Sequence, residues 1–213
     1  MKKLLTMLLA ACLLCTFFAF TASAETLTGT CGDDAFWSLD TDTGVLTVSG
    51  TGAMADYAAK GQPYYIHRAS ITSVVIEEGI TNVGAYAFDR FGTGLTSVTI
   101  PSSVKTIKND AFDFNSLTEV IIPEGVERIE EYAFAANKLT KVVLPNSISF
   151  IAPGAFLLND GAVFHCSLNS YAHQWAVGNG YNTDPKPLTW WEKLPNFLQW
   201  LMRIFLFGWI WMR

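Results

Sequence analysis

The stretch LTSVTIPSSVKTIKNDAF, residues 95–112, decides the fold because it recurs. ITSVVIEEGITNVGAYAF (71–88) precedes it, and LTEVIIPEGVERIEEYAF (117–134) and LTKVVLPNSISFIAPGAF (139–156) follow. The four copies start 24, 22 and 22 residues apart. A self-similar period of roughly 20–50 residues marks a stacked array. A unit this short cannot bury its own apolar face, so it must pack on its neighbours. The expected fold is mainly β, a short solenoid over 71–160 whose surface repeats once per coil. Such a surface suits binding better than catalysis.

Within one copy, Leu95, Val98 and Ile100 read as the inward side of a short strand. Pro101, matched by Pro123 and Pro145, ends that strand because it has no N–H to give to a ladder. In the first copy Glu77 stands in its place. Val104 and Ile107 recur as Ile80/Val83, Val126/Ile129 and Ile148/Ile151, and are expected to form a second inward side. Each copy closes on Ala-Phe, at Phe88, Phe112, Phe134 and Phe156, which predicts a ladder of rings along the axis. The positions between the inward strand residues face outward. They form one column of Ser73, Ser97, Glu119 and Lys141 and a second of Val75, Thr99, Ile121 and Val143. Three β-branched apolar residues in the second column fit strand propensity or a binding stripe equally well.

The pattern L-T-x-V-x-I-P-x-x-V-x-x-I-x-x-x-A-F resembles the BspA-like leucine-rich repeat family of bacterial surface proteins. Residues 29–54, GTCGDDAFWSLDTDTGVLTVSGTGAM, look like the leader found before such repeats. They read as a hairpin, Phe36 to Leu39 and Val45 to Val48 about a Thr41–Gly44 turn, capping the first coil within a segment 25–70. A C-terminal cap is expected over 161–183: a strand from Val163 to Cys166, then a helix from Ser170 to Val177 stopped at Gly178. Family resemblance implies attachment to host proteins or to other cells, an adhesin-like role without catalysis.

The ends differ from the rod. Lys2, Lys3, the apolar run Leu4–Phe20 and Ala22-Ser23-Ala24 read as a signal peptide, 1–24, and so predict export. Leu9-Ala10-Ala11-Cys12 resembles a lipoprotein box, but the apolar run continues well past it. Removing 1–24 leaves 12 basic and 19 acidic residues, a net charge of −7. No basic stripe suited to nucleic acid is present. Cys12 and Cys15 leave with the signal peptide. Cys31 and Cys166 then lie near opposite ends of the rod, too far apart for the ~7 Å Cα separation of a disulfide. They read as buried thiols.

After a linker, 184–194, five of the seven tryptophans crowd the C-terminus: Trp190, Trp191, Trp200, Trp209 and Trp211. A helix over 195–213 would carry Phe197, Trp200, Leu201, Ile204 and Phe205 around a narrow polar stripe that includes Arg203. Its length from Pro195 to Met212, about 27 Å, is marginal for a ~30 Å hydrocarbon core. The segment reads as membrane-seeking, lying in the interface, spanning, or packing on a partner.

Chemistry is sparse. His165, Cys166 and His173 do not have the spacing of a zinc site. Asp40-Thr41-Asp42-Thr43-Gly44 lacks the glutamate of a calcium loop and reads as a turn. No nucleophile elbow or phosphate loop occurs. Neither a cofactor nor a metal is therefore expected. The partners expected are a protein or cell-surface ligand and a membrane surface. The alternatives are a structural envelope component without a specific ligand and, more weakly, a secreted enzyme.

Overall fold

The computed structural model describes residues 25–184, and both the predicted signal peptide, 1–24, and the predicted tail helix, 195–213, lie outside them. Three antiparallel strands begin the described chain: β1 (Thr26–Thr30), β2 (Ala35–Asp40) and β3 (Val45–Gly50). The β2–β3 turn is fixed by Asp40, whose carboxylate accepts the N–H groups of Asp42 and Thr43 at 2.9 and 3.1 Å. From β3 onward the pairing becomes parallel, and the chain winds as a mainly β solenoid.

Each coil contributes one strand to each of two sides. On the first side lie β3, β5 (Ser73–Ile76), β7 (Ser97–Thr99), β9 (Glu119–Ile121), β11 (Lys141–Val143) and β13 (Val163–His165). On the second lie β4 (Gly52–Ala53), β6 (Ile80–Val83), β8 (Thr106–Ile107), β10 (Arg128–Ile129) and β12 (Phe150–Ile151). After β13, the helix α1 (Tyr171–Gly178) crosses the end of the stack. Its N-cap is Ser170, whose hydroxyl accepts the His173 N–H at 3.1 Å. The chain then returns as β14 (Asn182–Asp184), parallel to β13. This last strand falls where the sequence predicts the end of the cap and the start of a linker.

The inward residues are buried as the repeat predicts. Leu95, Val104, Ile107 and Phe112 are fully enclosed, as are their counterparts Ile71, Ile80, Val83 and Phe88. The rings form the axis of the core. Phe88, Phe112, Phe134 and Phe156 stack at 5.0, 5.2 and 5.3 Å between centroids, within 8–16° of parallel. Tyr64 extends the stack at 5.8 Å and donates its hydroxyl to the Ala87 carbonyl. Both ends are closed edge-on, by Trp37 at 73° and by Phe164 at 88°. Edge-to-face contact places a positive ring edge against a negative face, a favourable way to terminate a stack.

A second ladder runs beside the rings and is made of amides. Asn137 Nδ2 donates to the carbonyls of Phe112, Phe134 and Ala135, while its Oδ1 accepts the Leu117 N–H. Asn159 repeats the set one coil on. Asn115 makes the corresponding bonds to Phe88, Asp113 and Phe91. All three side chains are buried. They satisfy backbone groups that the tight Ala-Phe turn would otherwise leave unpaired inside the core.

Cys31 and Cys166 are both free and buried, and burial pushes the Cys31 thiol up to about 11.

Candidate recognition face

The two sides of the rod are not equally continuous. On the second side five strands, β12-β10-β8-β6-β4, form one sheet. The first side is divided into β1-β2-β3-β5-β7 and β14-β13-β11-β9. β7 and β9 are neighbours in the stack, yet no ladder joins them. Between them lies a notch of about 390 Å³ lined by Ser97, Thr99, Glu119, Ile121, Ile100 and Pro123, with Val98 at its base. Val98 is half-buried there, whereas its counterparts Val74, Val120 and Val142 are fully enclosed.

The predicted outward columns are real registers within each half. Ser73 pairs with Ser97 and Val75 with Thr99; Glu119 pairs with Lys141 and Ile121 with Val143. The columns also extend further than the four copies suggest, to Val45 and Thr47 at one end and to Val163 and His165 at the other. Exposure concentrates at the break. Ser97, Thr99 and Glu119 are exposed, and Ile121 is 56% exposed, while Ser73, Val75, Lys141 and Val143 are half-buried. Glu119 and Lys141 form an exposed ion pair, a contact worth little in stability. The column ends at His165, whose Nδ1 lies 3.5 Å from Asp184.

The turn ridge, formed by the residues just before and after each Ala-Phe, changes character along the rod. Toward the N-terminal coils it carries Asp89, Arg90, Asp110 and Asp113. Asp89 is 1% exposed, its carboxylate oxygens accept no hydrogen bond, and the Arg90 guanidinium lies 3.4 Å away. Burial, added to the charges of neighbouring carboxylates, pushes Asp89 and Asp113 up to about 6. Burial also raises Asp110. Toward the C-terminal coils the same ridge is apolar, with Phe114, Tyr132, Leu157 and Leu158 exposed. This ridge was not legible in the repeat because most of its residues lie between copies, and Asp110 and Tyr132 occupy a position within them that the apolar pattern leaves free.

Other acidic residues hold coils together. Glu78 accepts bonds from the Ser102 and Ser103 N–H groups and the Ser102 hydroxyl, which lowers its carboxyl from the usual value. Glu124 accepts the Asn146 and Ser147 N–H groups at 3.0 and 3.2 Å and so ties the third copy to the fourth. Glu78 is thus an exposed but fixed acceptor. Among the described residues no helix is long and apolar enough to cross a membrane.

A parallel solenoid with a ring-stacked core and an outward strand face is a repeat protein by construction. A family model for the BspA type leucine rich repeat region matches residues 62–168 in six copies, half of the chain, and the chain belongs to that family. A leucine-rich repeat protein from Eubacterium ventriosum is similar at 26% identity and TM-score 0.57, over 68% of this chain and 45% of its own. A leucine rich repeat protein of T. pallidum is 23% identical, with TM-score 0.45 over 61% and 67%. A leucine rich cell surface protein from Faecalibacterium prausnitzii is 18% identical, with TM-score 0.29 over 67% and 55%. This chain thus spans less than half the length of the Eubacterium structure. No curated protein matches it.

Proposed function

We propose that this is an exported, non-catalytic recognition protein that binds a protein or cell-surface ligand through its first strand side. The observation that carries the reading is the convergence of four column residues, Ser97, Thr99, Glu119 and Ile121, on the notch where β7 and β9 part. A closed sheet offers a ligand only side-chain tips. The notch adds an apolar recess bounded by hydroxyl groups and a carboxylate. An apolar side chain of the ligand enters beside Ile121 and Val98, while Ser97, Thr99 and Glu119 bond its polar groups. Solenoids commonly use such repeated surfaces for extended contact. Membership of the BspA-type family and its likeness to bacterial repeat proteins support display at a bacterial surface, with β1–β3 and α1–β14 closing the two ends of the stack.

The mature chain, residues 25–213, is expected to bind host proteins or cells saturably. Replacing Val75, Ile121 and Val143 by lysine should weaken that binding at least tenfold. Ile121→Lys alone should leave thermal stability within about 0.5 kcal/mol, as for most exposed substitutions. Retention at the surface with no saturable binding would favour a structural envelope component instead. Membrane attachment through 195–213 predicts that residues 25–213 float with liposomes and that a chain ending at Lys186 does not.

A further inference from the structure

The apolar part of the turn ridge is larger than an isolated exposed side chain. A groove of about 250 Å³ lies among Phe114, Tyr132, Leu157 and Leu158, with Asp110 and Asp113 at one border. Leu158 is 61% exposed. Leu157 and Leu158 also line a second recess of about 280 Å³, shared with Asn179, Tyr181 and Asn182. The two recesses therefore meet at one leucine pair. At its far end the groove is covered by the Arg90 guanidinium, 4.4 Å from the Phe114 ring centre. Contiguous apolar surface of this kind usually has an occupant.

We infer that the ridge groove holds the chain's own C-terminal segment, residues 195–213, when no lipid is present. Three observations select this occupant. First, the described chain ends at Asp184, two residues beyond Asn182 in the second recess, so the tail departs beside the groove. Second, residues 185–194 can reach about 31 Å in extended form. The groove runs over coils whose rings lie only 5.2 and 5.3 Å apart. Third, the charges are complementary. Residues 195–213 contain Arg203 and Arg213 and no acidic residue, while Asp110 and Asp113 border the groove.

Aromatic side chains of the tail would fill the space between Tyr132 and Leu158. A tail cation would sit against Asp110. That arrangement covers two apolar surfaces that water would otherwise meet, and it leaves the strand face on the first side free. It does not depend on the tail binding membranes.

The test uses residues 25–213 in lipid-free buffer with p-benzoylphenylalanine in place of Phe114. Irradiation should give a crosslink within one chain to a peptide from 195–213. The double change Leu157→Asp and Leu158→Asp should reduce that crosslink at least tenfold and shift tryptophan emission to longer wavelength. Asp110→Lys should reduce it about threefold. Circular dichroism should report an unchanged fold for each variant. Crosslinks only between two chains, which would make the occupant a second copy, would overturn the inference. So would the absence of any crosslink, or a crosslink indifferent to the leucine changes. Because no lipid is present, failure of the liposome experiment leaves this one unaffected.

Discussion

The two strand sides of the rod are built by the same coils, yet one is a single five-stranded sheet and the other is parted between β7 and β9. Backbone pairing between the strands is therefore not what holds neighbouring coils together everywhere. At the break the Phe112 and Phe134 rings still stack at 5.2 Å, and β8 and β10 still pair in register. Asn137 still ties Leu117 to the coil before it through Phe112. The core and the amide ladder carry the joint, and the strand side is free to open. A recognition surface gains from that division, because it can present an irregular recess without endangering the fold.

The comparison is broken most directly at the joint's core. Phe112→Ala should cost about 3–5 kcal/mol, the range for a large buried ring, measured by chemical denaturation of residues 25–213. A cost below about 1 kcal/mol would mean that strand pairing, not the ring stack, holds the coils. Asn137→Ala removes one acceptor and the donors to three carbonyls. With each unsatisfied buried group worth about 1–3 kcal/mol, a loss of at least about 2 kcal/mol is expected.

Hydrogen exchange sharpens the contrast between the sides. Amides on the facing edges of β7 and β9 should exchange at least tenfold faster than those of β8 and β10. Equal protection would show that the first side closes in solution.

The smallest expected effect concerns buried charge on the turn ridge. The folded Asp89 carboxyl, near 6, lies above its ordinary 3.8. Between those values the folded chain holds a proton that the unfolded chain has released. Its ionised form therefore destabilises the fold at pH 7, and this penalty fades as pH falls through 6 toward 4. Asp89→Asn should stabilise the protein by about 1 kcal/mol at pH 7 and by almost nothing at pH 4. A gain that is the same at both pH values would show that burial does not perturb this carboxyl.

Much of this architecture was legible because it rests on apolar periodicity. The four phenylalanines, the two inward sides and the outward registers follow from residues 71–156 alone. Tyr64 was missed as a member of the ring stack because QPYYIH carries no Ala-Phe signature. Asn115, Asn137 and Asn159 were missed for a different reason. A buried amide interrupts no hydrophobic pattern, and its value lies in backbone groups brought to it only by the folded turn. Nor does β14 announce itself, since Asn182-Thr183-Asp184 has weak strand propensity and acquires its conformation by pairing with β13. The break between β7 and β9 has no counterpart in the repeat consensus. Both copies fit the pattern, and the recess belongs to their packing.

The near-constant ring spacing, 5.0 to 5.3 Å over four phenylalanines, has a genealogical consequence. Each repeat coil meets its neighbour through the same ring and the same amide position. Duplicating one coil in the gene would therefore lengthen the rod by about 5 Å while presenting the ends with the partners they already have. A lineage can adjust its reach in equal increments without reinventing either terminus. The molecule is a ruler that evolution can cut or extend one graduation at a time.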